Sequence, residues 1–309
     1  MNKFLKVALI TAGITMSVGI AAFAIGTIAN GGKPISFYWN DGFKLSTQNT
    51  IVQKEKTTIE DFKNVLIDVS AANVFFYENT DDTYAFEYRI SAEREDAIQC
   101  EVQNDKFILK EKNSPIRLFS GLDWNSWGKK DEYYVKVYYP KGAEFGDIYL
   151  DTSAGDVSLE QDLTCAKLTL DMSAGKAKLK NIKGALDIDM SAGDLNCDDC
   201  EFGFCTIDMS AGSVKMNNCS ADGGKVDMSA GGFTANSFTL TKSMSLDMSA
   251  GSVTIGFVDG QKIGYDFDLS AGTAKINGEK RGDEFQQIEG YDVILKVDAS
   301  AGSVDVTNH

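Results

Sequence analysis

Histidine occurs once in the 309 residues, at the last position, His309. A chain with no internal imidazole has no histidine triad, imidazole metal site or histidine pH switch to offer. Cysteine is sparse as well. Cys100, Cys165, Cys197, Cys200, Cys205 and Cys219 are too few, in a chain this long, to build a disulfide scaffold. Basic residues are also in deficit: 30 Lys and Arg against 45 Asp and Glu leave a net charge of −15. Lys3 and Lys6 are the only charges before Lys33, so everything after them carries −17. Such a body is repelled by nucleic acid and by bare anionic lipid heads, and no nucleic-acid partner is expected.

Long apolar runs are absent with one exception. Val7 to Ala29 is a stretch of 23 residues without a charge, preceded by the two lysines and followed by Asn30-Gly31-Gly32-Lys33-Pro34. At about 1.5 Å per residue it is long enough to cross a hydrocarbon core of about 30 Å as one helix. Basic residues before it and an acidic body after it place the N-terminus in the cytoplasm and the body outside. The alternative is a cleaved signal peptide and a secreted body, because Ala22-Phe23-Ala24 and Thr27-Ile28-Ala29 both resemble small-residue cleavage sites. The length of the run, beyond the usual signal core, favours the anchor.

What is abundant is one short phrase. Asp-x-Ser-Ala-Gly begins at Asp151, Asp171, Asp189, Asp208, Asp227, Asp247, Asp268 and Asp298. The spacings are 20, 18, 19, 19, 20, 21 and finally 30 residues, and a copy at Asp68-Val69-Ser70-Ala71-Ala72 lacks the glycine. A period of about 20 residues is the sign of a solenoid whose repeats are stacked coils. Counting Asp as position zero, apolar residues recur at −1 (Leu150, Ile188, Val226) and at +6 and +8 (Val214 and Met216, Val253 and Ile255). Position +1 is mostly methionine: Met172, Met190, Met209, Met228 and Met248. Period-two alternation on both sides of Ser-Ala-Gly means two short strands joined by a tight corner, for which glycine is suited. The expected fold is all-β, a parallel β-helix, right-handed by the crossover rule, with an N-terminal β cap and the one transmembrane helix.

The organisation reads as residues 1–32, cytoplasmic tip and anchor; 33–56, a stalk; and 57–309, the β-helix. Tyr84 to Tyr139 interrupts the repeat with strand-like runs such as Tyr133-Tyr134-Val135-Lys136-Val137-Tyr138-Tyr139 and forms the cap. Asn277 to Asp292 reads as a charged hairpin leaving the stack, and the coil at Asp298 as the closing one, its edge masked by Asp305, Thr307, Asn308 and His309.

The repeated Asp-x-Ser-Ala-Gly, the leading apolar segment and Val135-Lys136-Val137-Tyr138-Tyr139-Pro140 before the main repeats resemble the bacterial "putative adhesin" domain, over roughly Thr57 to Asn308. The resemblance implies a β-helical, extracytoplasmic, non-enzymatic body in the cell envelope. It brings no functional residues with it.

Candidate sites are then weighed residue by residue. Each Asp of the repeat is read as a structural turn residue, its carboxylate accepting from the amides of its own Ser-Ala-Gly corner. The rival is a calcium ladder, but no calcium-binding motif is present. The methionine column has inward parity and reads as core filler rather than a soft-metal lane. Cys197, Cys200, Cys205 and Cys219 fall in slots that other coils fill with hydrophobes, so buried thiols are expected rather than zinc, with Cys200 and Cys219 stacked neighbours. The loop holding Phe119, Trp124 and Trp127 is the candidate interaction surface, or else a plug for the end of the stack. Asp198-Asp199-x-Glu201 and Asp81-Asp82 read as solvated loop tips, not paired catalytic acids. No catalytic, cofactor or metal site is assigned. The expected role is a non-enzymatic surface module whose partners are the membrane and a wall polymer, glycan or envelope protein. An accessory or sensor role in envelope-stress signalling is the alternative, with a carbohydrate-active enzyme behind it.

Overall fold

A computed structural model describes residues 36–39, 43–46, 50–92, 95–111 and 133–308. The apolar run Val7 to Ala29 and the loop with Phe119, Trp124 and Trp127 lie outside the described residues. The rest is a stack of β-coils. Leu163–Lys180, Ile182–Asp198, Glu201–Asn217 and Gly224–Leu240 each run as one bent strand through the Ser-Ala-Gly corner. Each pairs with the next in parallel and in register, Asp on Asp and Gly on Gly. Coils therefore lie about 4.8 Å apart, and every alternate side chain joins a column running the length of the stack.

The inward columns form one continuous core. Leu170, Ile188, Ile207, Val226 and Leu246 at −1, and Val214, Phe233 and Val253 at +6, are almost wholly buried. The methionines at +1 are buried too. A Cβ placed on Gly251 would lie 2.9 Å from Met248 Cε, so the thioether methyl is tucked beneath its own corner. An unbranched side chain with three rotatable bonds can make that fold-back, which accounts for methionine there.

Close approach explains the glycine. A Cβ on Gly212 would sit 1.8 Å from the carbonyl oxygen of Gly193, and one on Gly231 equally close to Gly212 O. Both glycines have positive φ, 138° and 134°, which L-residues rarely adopt. The column continues from Ala72 through Gly155 to Gly302 and Gly272. Ala72 heads it.

A second corner, silent in the sequence pattern, closes the central coils. Asn181, Asp199, Asn218 and Ser237 take left-handed φ values between 52° and 55°, a conformation that Asn and Asp tolerate best among non-glycine residues. The corner is laddered by side chains: Asn218 Nδ2 donates to Asp199 Oδ1 at 2.8 Å, and at the preceding position Asn217 Nδ2 donates to Asp198 Oδ1 at 2.8 Å and Asn236 Nδ2 to Asn217 Oδ1 at 3.0 Å. The acidic cluster Asp198-Asp199-x-Glu201 is therefore part of the frame, with Glu201 paired to Lys183 at 2.9 Å.

Coil order in space departs from chain order at both ends. The coil of Val293–Thr307 pairs with Met244–Phe257 on one side and with Ile263–Leu269 and Gly272–Ile276 on the other. The Asp298 coil, expected to close the stack, is instead inserted beneath the Asp268 coil. The segment expected to leave the stack folds back onto it: Glu279–Arg281 and Glu284–Gln287 pair antiparallel with Gly272–Ile276 and Ile263–Leu269. The 30-residue spacing supplies the chain for this return. At the other end Lys106–Glu111 and Tyr134–Pro140 form a coil outside Asn64–Val69 and Asn73–Asn79. Ile98–Gln103 and Tyr84–Ala92 then pair antiparallel onto it, and Thr50–Ile59, which begins within the region read as stalk, pairs with Tyr84–Ala92. Each end of the parallel stack is thus covered by antiparallel strands that give the last coil a partner. Phenylalanine and tyrosine fill the N-terminal end: Phe62 lies 5.3 Å from Phe107 and 4.6 Å from Tyr84, and Tyr139 5.4 Å from Phe145.

The glycine corner yields a graded prediction. Gly212→Ala must displace a backbone carbonyl and adopt an unfavourable φ, costing about 3 kcal/mol or more. Gly260→Ala, at φ 83° with open space around the added methyl, should cost only about 1 kcal/mol. Urea unfolding of both variants measures the difference.

Candidate functional site

The Asp-x-Ser-Ala-Gly face is the most regular surface of the molecule. In spatial order its carboxylates are Asp68, Asp151, Asp171, Asp189, Asp208, Asp227, Asp247, Asp298 and Asp268, each opposite the next. Parity sends them outward between the buried −1 and +1 residues, with serines two positions on. Over the C-terminal half the two columns line a groove of about 350 Å³, with Asp208, Asp227, Asp247, Asp298 and Asp268 along it and Ser229, Ser249, Ser300 and Ser270 beside them.

None of the described hydrogen bonds runs from a Ser-Ala-Gly amide to the aspartate of its own coil. The corner is part of the ladder, Ala174 opposite Ala192 and Gly175 opposite Gly193, so its backbone is paired between coils. What steadies the carboxylates lies two residues before them on their own coil and on the neighbouring coils instead. Lys110 stands opposite Asp68 at the outer end of the column. Lys225 Nζ lies 2.8 Å from Asp227 Oδ2 and 3.8 Å from Asp247 Oδ2, and Lys296 Nζ 2.9 Å from Asp298 Oδ2. Position −2, two residues before the aspartate, supplies both lysines, and it also supplies Tyr149, whose hydroxyl donates to Asp171. That pattern is present in the sequence but is hidden by the variety of residues at −2.

Repulsion is only partly relieved. Burial, then Asp171 and Asp68, push the Asp151 carboxyl up to about 6. Asp171 is raised by burial and by Asp189 despite the Tyr149 hydrogen bond. Asp247 is raised by burial and by sharing a hydrogen bond with Asp227. Asp68 is raised by burial, with Lys110 opposing.

Among the described residues no group of three or more His, Cys, Asp or Glu could hold a metal ion. Cys165 and Cys205 are buried, and burial raises both thiols to about 12. Cys100, half-buried, is likewise raised to about 12. These thiols are poor nucleophiles. The Asp81-Asp82 pair sits in a turn, Asp82 at φ 48°.

The stacked, capped coils define a β-solenoid with a charged repeat face. A family profile described as Toastrack DUF4097 matches residues 62–307, and the chain belongs to that family. No curated protein matches. Solved structures similar to it include a "putative adhesin" from Parabacteroides merdae, 12% identical over 84% of this chain and 96% of that one, TM-score 0.49. Another from Bacteroides fragilis is 14% identical over 85% and 98%, TM-score 0.44. A "putative cell adhesion protein" from Clostridium sporogenes is 12% identical over 85% and 100%, TM-score 0.24.

A raised acid binds its proton more tightly folded than unfolded. The stability from Asp151 is therefore complete below pH about 4 and is lost as pH rises through about 6. Asp151→Asn should stabilise the protein at pH 7 by about 1 kcal/mol, a figure discounted for partial exposure, and leave it unchanged at pH 4. Urea unfolding at the two pH values checks this. A loss of stability at both would show that the carboxylate itself is needed.

Proposed function

We propose that the chain is a non-enzymatic module of the cell envelope, which presents the wall of its solenoid to a wall polymer, a glycan or another envelope protein. The observation that carries this reading is the repeat face, on which one set of side chains recurs every coil along a stiff sheet. A surface of that kind suits a partner that also repeats. Hydrolysis of glycosides is the rival chemistry for a row of carboxylates, but it needs one acid set apart from its partner by burial. The aspartates of the groove are all exposed or half-buried, and each is flanked by another of its kind.

In this reading the segment Val7 to Ala29 anchors the chain and the body lies outside the membrane, with Phe119, Trp124 and Trp127 as a further contact patch. Protease added to intact spheroplasts should then degrade the chain beyond Gly32, whereas protection would overturn the orientation. Release of a shortened body into the medium would favour the cleaved signal peptide.

Binding is tested by co-sedimentation of the full chain, in detergent, with purified wall polysaccharide and by its capture of solubilised membrane proteins. Saturable retention without turnover is expected. Release of reducing ends, abolished by a single Asp→Asn exchange in the groove, would establish an enzyme instead.

A further inference from the structure

Two cysteines share one column of the stack. Asp198 stands opposite Asn217 and Glu201 opposite Ser220, so the ladder is in register on both sides of Cys200 and Cys219 and sets them opposite each other. The backbone contacts agree, with Ser220 N donating to Cys200 O at 2.9 Å and Asp199 N to Asn217 O at 3.0 Å. Neighbouring residues in such a ladder are about 4.8 Å apart at Cα, inside the range of about 4.4–6.8 Å that a disulfide spans. Both side chains point inward and are buried, at 1% and 2% exposure. We propose that Cys200 and Cys219 are a site of disulfide formation that staples the Asp189 coil to the Asp208 coil.

Neither of the nearby thiols competes by register. Cys197 is opposite Leu179 and Met216, and Cys205 is opposite Leu186 and Gly224. Ile182 and Phe238, each eleven residues after its coil's aspartate as Cys200 and Cys219 are, fill the same column in the flanking coils. Both are buried, so packing alone does not call for sulfur there. Each thiol donates to a backbone carbonyl of its own coil, Cys200 Sγ to Asp198 O at 3.3 Å and Cys219 Sγ to Asn217 O at 3.3 Å.

The reaction removes two electrons and two protons from the two thiols. The oxidant is the disulfide of an exchange partner, an oxidoreductase or oxidised glutathione. One of the two cysteines attacks it as its thiolate to give a mixed disulfide, the other displaces the partner's remaining sulfur, and the partner leaves as its dithiol, or as two molecules of glutathione. The burial of both sulfurs places this step during folding, before the coils close.

The test is refolding of the full chain from denaturant in a glutathione redox buffer, with free thiols then blocked and the protein cut with trypsin. Cleavage after Lys183, Lys215 and Lys225 places Cys197, Cys200 and Cys205 in peptide 184–215 and Cys219 in peptide 216–225. The expected product is these two peptides joined, with fragmentation locating the bond at Cys200. The link should be lost in Cys200→Ser and kept in Cys197→Ser and Cys205→Ser. Reduction of the folded protein should lower its Tm by about 5–10 °C. Alkylation of Cys200 and Cys219 in the refolded chain, or a link that persists in Cys200→Ser, would overturn the proposal. Protein trapped directly from cells tests the extracytoplasmic reading separately. A chain that links on refolding but is fully reduced in the cell supports the staple and contradicts that placement.

Discussion

The structure depends on how closely one coil can approach the next at the Ser-Ala-Gly corner. The ladder of parallel hydrogen bonds does not break there, because glycine leaves room for the carbonyl oxygen of the coil below. Where a Cβ would stand, that oxygen lies between 1.8 and 2.1 Å away along the column from Gly155 to Gly272. Once the corner is flat enough for pairing to continue through it, coils stack in register. Register then dictates that like residues stand on like. The methionines beneath the corners, the −1 and +6 columns of the core and the outward aspartates all follow from that condition.

Stacking like on like favours apolar residues and penalises charged ones. An inward Ile or Val column gains packing with each added coil, whereas an outward carboxylate column accumulates repulsion. The chain meets this with half-burial shared among raised acids, with Lys225 and Lys296 each two residues before an aspartate of their own coil, with Lys110 opposite Asp68, and with the Tyr149 hydroxyl. The aspartates are not held by their own corners. They are tolerated by their neighbours, and the surface that results is strongly acidic and ordered at the spacing of the sheet.

Much of this was legible in the sequence, because a solenoid writes its contacts as a period. The columns at −1, +1, +6 and +8 could be read as inward, and the glycine as a corner, since parity and spacing carry that information directly. The second corner was not legible. Asn181, Asp199, Asn218 and Ser237 differ in identity and share only a left-handed backbone, which no periodicity reports. Nor was the order of the final coils. A Gly-cornered strand pairs equally well with any coil of the same pattern, so the motif at Asp298 could not say whether it lay beyond Asp268 or beneath it. Only the longer spacing before it hinted that the chain had turned back. Nor were the partners of the aspartates legible, for a related reason. A corner amide looks like a free donor in the sequence, and only the neighbouring coil shows that it is already paired.

The insertion of the last coil is the point at which in-register stacking, rather than chain order, sets the architecture. Ser252 and Ser303 face each other across adjacent coils, as do Ser303 and Thr273, and all three are exposed. Ser252 and Thr273 are separated by the whole of the intervening coil, about 9.6 Å. Cysteine pairs at these positions, oxidised in the folded protein and read by peptide mapping, measure the order directly. The account predicts that Ser252→Cys with Ser303→Cys crosslinks and that Ser252→Cys with Thr273→Cys does not. A crosslink between positions 252 and 273, with none between 252 and 303, would contradict it.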